Sequence, residues 1–235
     1  ICTSNDAHFK VAMAAVEAGK PFNLEKPITL TAEEADILAK AAQEKNVKNM
    51  VCFSYRFKAA ARYAKDLIAQ GKIGRVYHVN MQYFQAWGLP RANCPLVWRY
   101  VKSRTGTGAL GDLGSHALDL VRFVTNKEYT RVVGHTGTYV HERPLLDGKG
   151  VGKVDVDDFS NYMADMEDEI SVSFQITRFA YGRGNYQRME IYGSEGAIVY
   201  SLDATPAGID EIEVCSGAVF LRSDAVLCRH CEWHR

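Results

Sequence analysis

The order in which strands and helices alternate along the chain constrains its fold more than any other feature. Within residues 1–53, short apolar stretches alternate with helix-forming stretches, which is typical of a parallel sheet covered by helices. From residue 74 onward strand-like stretches follow one another, interrupted by one long helical stretch. Consecutive strands favour an antiparallel or mixed sheet. We therefore expect an α/β chain that begins with part of a parallel sheet and continues into a large open sheet.

Hydrophobic spacing and capping residues place the individual elements. Apolar residues at helical spacing stop at Gly19, and Thr31-Ala32-Glu33-Glu34 has the capping-box pattern that starts a second helix. We predict helices at residues 6–18, 31–46, 58–70 and 110–125. We predict strands at residues 21–24, 49–53, 74–83, 131–140, 157–166, 170–176, 188–192 and 197–202. The composition of residues 144–153 indicates a mobile loop.

Composition excludes several classes of function. The 235 residues contain 28 Lys+Arg and 28 Asp+Glu, whereas a general nucleic-acid binder needs a basic surface. No apolar stretch approaches the ~18–20 residues of a membrane span, so we expect no membrane association. Six scattered cysteines are too few for a disulfide scaffold, and we expect mostly reduced thiols in a cytoplasmic protein. Because the chain begins at Ile1 and not at a Met, we expect a piece of a longer protein.

One glycine-rich string has the spacing of a dinucleotide-binding loop, and we reject it as one. Residues 106–111 read Gly-Thr-Gly-Ala-Leu-Gly. Such a loop normally follows a buried strand and holds a pyrophosphate at a helix N-terminus. Residues 102–105 are too polar for a strand end, and no acidic residue ends a second strand about 20 residues later.

The helix predicted at residues 110–125 carries three ionisable side chains on one side. Asp112, His116 and Asp119 lie at positions i, i+4 and i+7, within ~60° of one another at ~100° per residue. Oxidation of a secondary alcohol needs a base for the hydroxyl proton, and His is the side chain whose pKa lies closest to neutrality. Asp112 can orient the ring and stabilise its protonated form. The alternative is an exposed Asp–His pair without a role.

Lys26 stands where a parallel sheet places its ligands. It follows a predicted strand and precedes Pro27, and open parallel sheets bind ligands beyond the carboxyl ends of their strands. In a partly desolvated cleft, a Lys can donate to a substrate oxygen and favour the alkoxide. The alternative is a solvated loop lysine.

Four motifs occur in the order and approximate spacing of a known enzyme family. They are Glu25-Lys26-Pro27, Tyr55-Arg56-Phe57, Trp98-Arg99 and the stretch from Gly111 to Leu120. Together they resemble the glucose–fructose oxidoreductase/inositol dehydrogenase/rhizopine-catabolism (Gfo/Idh/MocA) family. The resemblance implies the C-terminal half of a Rossmann parallel sheet, as a partial dinucleotide-binding domain at residues 1–53. It further implies a substrate-binding and oligomerisation α/β domain at residues 54–235, built on a large open, mostly antiparallel sheet.

The resemblance also implies the residues of the site. The catalytic set is Lys26, Asp112 and His116, with His116 as the acid/base. The implied cofactor contacts are Asn5, His8, Glu25, Lys26, Trp98 and Arg99. The implied substrate contacts are Tyr55, Arg56, Asp119 and Tyr186. No metal is implied. Although Cys228, Cys231 and His234 have zinc-like spacing, a fourth ligand is not evident.

The activity implied is that of an NAD- or NADP-dependent dehydrogenase acting on a sugar, inositol or related polyol by hydride transfer. Two alternatives stay open, an NAD-dependent glycosidase on the same scaffold and a truncated, non-catalytic binding or oligomerisation module. The family's first phosphate-binding βαβ unit is missing, which leaves cofactor binding by this polypeptide open. We expect a homo-oligomer, a dimer or tetramer, formed through the open face of the sheet, where we expect aromatic and Val side chains.

Overall fold

The computed structural model describes residues 1–202 and 210–216. Its helices are α1 Asn5–Glu17, α2 Ala32–Glu44, α3 Ala59–Ala69, α4 Lys102–Thr105 and α5 Ser115–Thr125. Its strands are β1 Phe22–Leu24, β2 Asn49–Val51, β3 Val76–Phe84, β4 Tyr129–Gly137, β5 Glu142–Pro144, β6 Val151–Lys153, β7 Phe159–Met166, β8 Ser171–Thr177, β9 Tyr186–Gly193, β10 Gly196–Leu202 and β11 Asp210–Ser216. The zinc-spaced tail lies outside the described residues.

The first part of the chain forms a small parallel sheet with two helices. Strands β1 and β2 pair in parallel, with Leu24 opposite Val51. The buried residues that hold α1 and α2 against this sheet are Ala12, Val16, Leu24, Leu38 and Ala42. The start of the chain lies beside β1, because the Glu25 amide donates to the Ile1 carbonyl at 3.0 Å. Lys26 therefore emerges just beyond the carboxyl end of β1.

The second part is a seven-stranded sheet in the order β11-β10-β9-β3-β8-β7-β4. All neighbouring strands are antiparallel except β3 and β8, which run parallel. The expectation of a large, mostly antiparallel sheet is confirmed. The parallel pair brings Phe84 and Thr177 to the same edge of the sheet. At that edge the Gln85 amide donates to the Thr177 carbonyl at 2.9 Å, so the segments that follow β3 and β8 lie side by side.

Helices α3 and α5 cover one face of this sheet. In β3, Val79, Met81 and Tyr83 are buried, and the residues between them are more exposed, as the two-residue period of a strand requires. These residues pack with the apolar sides of the helices, including Ala61, Ala64, Ala117, Leu120 and Val121. Burial of a large aliphatic or aromatic side chain contributes about 1.5–3 kcal/mol. This core fixes the helix that carries His116 over the sheet.

The opposite, open face of the sheet is polar at its centre. Ser173 donates to Asn80 at 2.7 Å, and Gln82 donates to Gln175 at 2.9 Å. Exposed apolar side chains occur toward the β4 edge, where Met163 lies opposite Val133. The expected aromatic and Val side chains therefore surround a polar centre, with Val133 at the β4 edge and the stacked rings of Phe84 and Tyr186 at one end of β3 and β9. That a second copy of the chain covers it stays a prediction.

The structure bears on three further expectations. Cys2, Cys52 and Cys94 are free thiols, whereas Cys215 is disulfide-bonded, so the expectation of reduced thiols does not hold for Cys215. Within residues 1–202 and 210–216, no helix is long and apolar enough to cross a bilayer. The predicted mobile loop at residues 144–153 is closed at its base by a short antiparallel pairing of β5 with β6.

The glycine-rich string at residues 106–111 is capped from within the protein. The Asp157 carboxylate accepts hydrogen bonds from the amides of Gly108 and Leu110, both at 2.7 Å. A Cβ atom on Gly108 would lie 1.8 Å from the Asp157 carbonyl oxygen, which explains the glycine. Helix α4, not a strand, precedes the string. Its rejection as a dinucleotide-binding loop is confirmed, because an internal carboxylate occupies these amides.

The helix predicted at residues 110–125 has an unusual first turn. Leu110–Gly114 is π-helical, and α5 continues from Ser115. A π turn is wider than an α turn. The arithmetic of ~100° per residue therefore does not apply to Asp112. The π turn sets the direction of that side chain independently of α5.

We expect Asp157→Ala to lower the free energy of unfolding by about 1–2 kcal/mol, because it removes the acceptor of two amides at the start of this helical segment. Urea denaturation followed by circular dichroism measures the change. The matched control is Asp147→Ala, which removes an exposed carboxylate bonded to the Lys149 amide. Its effect should stay within about 0.5 kcal/mol. Equal losses in both variants would contradict the capping role.

Candidate active site

Lys26 and Asp112 form an ion pair across 86 residues of sequence. Lys26 Nζ donates to Asp112 Oδ1 at 2.8 Å and to the Asp112 carbonyl oxygen at 2.7 Å. The side chains are only 14% and 20% exposed. The structure thus joins the loop after β1 to the π turn before α5. Since an ammonium group has three N–H donors, these two bonds leave one donor for another acceptor.

A second cation, Arg178, binds the other oxygen of the same carboxylate. Its Nη2 donates to Asp112 Oδ2 at 3.1 Å and to the Gly108 carbonyl at 3.0 Å. Burial alone would raise the pKa of Asp112, but the charges of Lys26 and Arg178 outweigh it and lower that pKa to about 2. Asp112 is therefore a carboxylate at neutral pH.

His116 lies in an aromatic enclosure next to this ion pair. Its ring centroid is 4.8 Å from that of Tyr55, 5.9 Å from Phe53 and 6.3 Å from Tyr83. Burial and then the Lys26 charge lower the pKa of His116 to about 3, while Asp112 acts in the opposite direction. The ring is therefore neutral at neutral pH. Its Nδ1 is buried without a hydrogen-bond partner among the described residues.

That Asp112 orients the His116 ring stays a prediction, and the hydrogen bonds of the Asp112 carboxylate go to other groups. Each carboxylate oxygen of Asp112 is bonded to a cation, Oδ1 to Lys26 and Oδ2 to Arg178. The His116 ring packs edge-on against Tyr55 and Phe53. Asp112 acts on the ring through its charge.

Two of the predicted substrate contacts are paired with each other. Arg56 Nε donates to Asp119 Oδ2 at 2.7 Å, and Arg56 Nη2 donates to Asp119 Oδ1. Such two-point guanidinium–carboxylate pairs are strong and directional. The Asp119 side chain is 8% exposed and that of Arg56 is 34% exposed. The second carboxylate of the helix is thus neutralised by Arg56, separately from the pair of Lys26 with Asp112.

A polar network adjoins the His116 ring. The hydroxyl groups of Tyr55 and Tyr83 lie 2.8 Å apart, and Asn185 Nδ2 donates to the Tyr55 hydroxyl at 2.9 Å. Tyr83 and Gln85 both donate to Asn185 Oδ1, at 2.6 and 2.9 Å. Trp87 Nε1 donates to Gln85 Oε1 at 2.5 Å. We refer to Tyr55, Tyr83, Gln85 and Asn185 as the polar wall.

Two predicted site residues lie elsewhere. His8 is fully buried, and its ring nitrogens face the carbonyl oxygens of Pro27 at 2.8 Å and Thr3 at 3.2 Å. His8 therefore joins the segments that contain Thr3 and Pro27, and it does not line the cavity. Tyr186 stacks on Phe84, with ring centroids 5.7 Å apart, on the open face of the sheet. Strand alternation points its side chain away from the face that α5 covers.

Five of the six predicted cofactor contacts line one cavity. The cavity has a volume of about 290 Å³ and adjoins Lys26 and Asp112. The predicted cofactor contacts in its lining are Asn5, Glu25, Lys26, Trp98 and Arg99. The Arg99 guanidinium stacks over the Trp98 ring at 4.4 Å. The cavity is therefore lined by the flat side chains of Trp98 and Arg99, by the Asn5 amide and by groups of both charges. This lining suits a planar, polar ring.

Sequence reasoning missed Arg178, Gln85 and Asn185. The first two follow the carboxyl ends of the parallel strands β8 and β3, and Asn185 precedes β9, the antiparallel neighbour of β3. The rule that parallel strands bind ligands beyond their carboxyl ends would have found the first two. It could not be applied, because the parallel pairing of β3 with β8 is not visible in the sequence.

Two family models match the chain. Residues 61–199 match the GFO/IDH/MocA C-terminal domain, and residues 1–53 match the oxidoreductase family with an NAD-binding Rossmann fold. The chain belongs to the Gfo/Idh/MocA family.

Individual relatives are similar over most of the chain. Levoglucosan dehydrogenase of Pseudarthrobacter phenanthrenivorans is 38% identical over 226 residues, which cover 91% of this chain and 56% of that protein. A solved levoglucosan dehydrogenase in complex with NADH and levoglucosan is 36% identical, with a TM-score of 0.87, covering 100% of this chain and 59% of that one. An oxidoreductase domain protein from Kribbella flavida is 38% identical, with a TM-score of 0.80, covering 91% and 59%. This chain therefore spans a little over half the length of these relatives.

We expect Lys26→Met to raise the pKa of His116, because it removes a cation that disfavours the imidazolium while burial continues to lower the pKa. NMR titration of the His116 ring carbon and nitrogen resonances measures the change. The control is Lys127→Met, since Lys127 pairs with Asp168 at 2.6 Å and lies away from the site. A His116 pKa that is unchanged by Lys26→Met, or equally changed by both variants, would contradict the assignment.

Proposed function

We propose that the protein containing this chain is an NAD(P)-dependent dehydrogenase that oxidises or reduces a CH–OH group of a sugar or polyol. The observation that carries this proposal is the position of a neutral imidazole beside the Lys26–Asp112 ion pair, whose two members line the cavity. The family and the relatives named above support it. Residues 1–53 would contribute to the cofactor site and residues 54–235 to the substrate site.

The cavity next to Lys26 is where the nicotinamide would be held. Asn5, Glu25, Trp98 and Arg99 would surround it, and their mixture of flat and polar surfaces fits a carboxamide-bearing ring. When bound, that ring supplies the acceptor or donor of the hydride.

His116 moves the proton in this proposal. Because burial and Lys26 lower its pKa, the ring is in the basic form at neutral pH and can accept the hydroxyl proton as hydride leaves the carbon. The imidazolium formed is a strong acid in this environment. In the reductive direction it returns the proton readily to the oxygen.

Lys26 stabilises the charge that develops on the substrate oxygen. Two of its N–H donors are held by Asp112, and the third is available to that oxygen. A fixed ammonium in a partly buried site stabilises an alkoxide more strongly than it would in water. Asp112 keeps the ammonium in place and stays ionised while it does so.

The polar wall indicates the substrate class. Tyr55, Tyr83, Gln85 and Asn185 gather hydroxyl and amide groups next to His116. Such groups exchange hydrogen bonds with a molecule that carries several hydroxyl groups. A sugar or polyol fits this requirement, in line with the levoglucosan dehydrogenase relatives.

We expect His116→Ala and Lys26→Met each to lower kcat/KM by about 10²–10⁴-fold, because each removes a group that acts on the reacting oxygen. The assay follows NAD or NADP reduction by the full-length protein over a panel of aldoses, inositols, other polyols and levoglucosan. The control variant is His135→Ala, which removes an exposed imidazole on the edge strand β4.

Three outcomes would contradict this function. Unchanged turnover in both active-site variants would remove the mechanism. Release of a free sugar without net NADH formation would indicate the glycosidase. Absence of NAD and NADP binding in isothermal titration of the full-length protein would indicate a non-catalytic module.

A further inference from the structure

Arg178 is a fully buried cation with few hydrogen bonds of its own. Its side chain is 0% exposed, and Nη2 is bonded to Asp112 and to the Gly108 carbonyl. Its Nε and Nη1 are buried without a hydrogen-bond partner in the part of the chain that the structure describes. Burial of a charge is costly unless the charge is paired and hydrogen-bonded.

Aromatic rings hold the guanidinium in place. Its Cζ lies 4.7 Å from the Trp87 ring centroid and 5.8 Å from the Tyr100 ring centroid. Cation–π contacts of this kind offset part of the desolvation and restrict the orientation of the plane. The backbone is fixed as well, because the Arg178 amide donates to the Asp158 carbonyl at 3.2 Å and the Gly88 amide donates to the Arg178 carbonyl at 3.0 Å.

The Asp112 carboxylate is therefore held at both of its oxygens. Oδ2 binds a rigid guanidinium, whereas Oδ1 binds the longer and more flexible side chain of Lys26. The Arg178 contact also ties the carboxylate to the Gly108 carbonyl, at the start of the helical segment. Without Arg178, Asp112 Oδ2 would lose its cation and the carboxylate plane could rotate. Lys26 would then lose the fixed acceptor that sets its direction.

We propose that Arg178 is a positioning residue for this reaction: it fixes the Asp112 carboxylate so that the remaining N–H of Lys26 is held for the substrate oxygen. The proposal rests on the proposed dehydrogenase function for its effect on catalysis, and on geometry alone for its effect on Asp112. Arg178 also gives the ion cluster an excess of positive charge, two cations for one carboxylate. That excess favours an alkoxide over a neutral alcohol.

The experiment compares two buried arginines. Arg143 is 2% exposed, stacks over Tyr100 at 4.0 Å and donates to the carbonyl oxygens of Gly88 and Cys94, with no bond to Asp112. Arg143→Met is therefore matched to Arg178→Met in burial and aromatic contact. Arg178→Lys is the conservative variant, in case Arg178→Met folds poorly.

The first measurement is independent of turnover. It follows the ionisation of the Asp112 carboxyl group by carbon-13 NMR of the full-length protein, with the resonance assigned by Asp112→Asn. The charged and titratable groups around Asp112 are Lys26, Arg99, Arg178, His116 and Tyr83. We expect Arg178→Met to raise the midpoint of ionisation, Arg178→Lys to raise it less, and Arg143→Met to leave it unchanged. An unchanged midpoint in Arg178→Met, or an equal rise in Arg143→Met, overturns the proposal.

The second measurement is the kinetic profile. Misplacement of a reacting group by about 1 Å can cost about 10²-fold in rate. We expect Arg178→Met to lower kcat about 10–100-fold at high pH, where Asp112 is still ionised, with partial recovery in Arg178→Lys and little change in KM. Arg143→Met should retain the kcat of the unmodified protein.

The two measurements separate the possible failures. A shifted Asp112 midpoint with unchanged kcat overturns the positioning role while the dehydrogenase assignment stands. An unmodified protein that turns over no sugar or polyol overturns the dehydrogenase assignment and the catalytic part of this proposal. The NMR comparison then still decides whether Arg178 holds Asp112.

Discussion

One carboxylate with two cations organises the site. Asp112 binds Lys26 through one oxygen and Arg178 through the other, and these side chains come from the π turn, the loop after β1 and the loop after β8. The pairing ties the small parallel sheet to the large sheet at a partly buried point. It also supplies the electrostatic setting of His116, which stays neutral because burial and the nearby ammonium disfavour its charged form.

The helical segment that carries this chemistry depends on its irregular start. The Asp157 carboxylate holds the amides of Gly108 and Leu110, and the π turn that follows directs Asp112 toward Lys26. From Ser115 onward the helix is regular and presents His116 to the aromatic enclosure. Because of this irregular turn, Asp112 contacts Lys26, while His116 in the same helical segment packs against the ring of Tyr55.

Local sequence patterns and the family resemblance predicted most of the fold and part of the site. The longer helices, most strands through residue 202 and the meeting of Lys26 with Asp112 were predictable, whereas α4, β5 and β6 were not. Arg178 was not, because its importance comes from a contact 66 residues away in sequence. Tyr186 lies on the open face of the sheet, because β9 begins at Tyr186 and successive side chains of a strand alternate between the two faces. His8 matched the motif, but its burial beneath the loop was not readable from the sequence.

The single pair of parallel strands in the large sheet affects how such a site can evolve. Strands β3 and β8 end at one edge, and the connections that begin there supply Gln85 and Arg178. The two connections are hydrogen-bonded to each other, because the Gln85 amide donates to the Thr177 carbonyl and the Gly88 amide donates to the Arg178 carbonyl. The connection after β3 supplies Gln85 of the polar wall, whereas the connection after β8 supplies Arg178, a cation of the ion cluster. Ligand recognition in this architecture can therefore diversify through the connection after β3, while the connection after β8 is constrained by the buried Arg178.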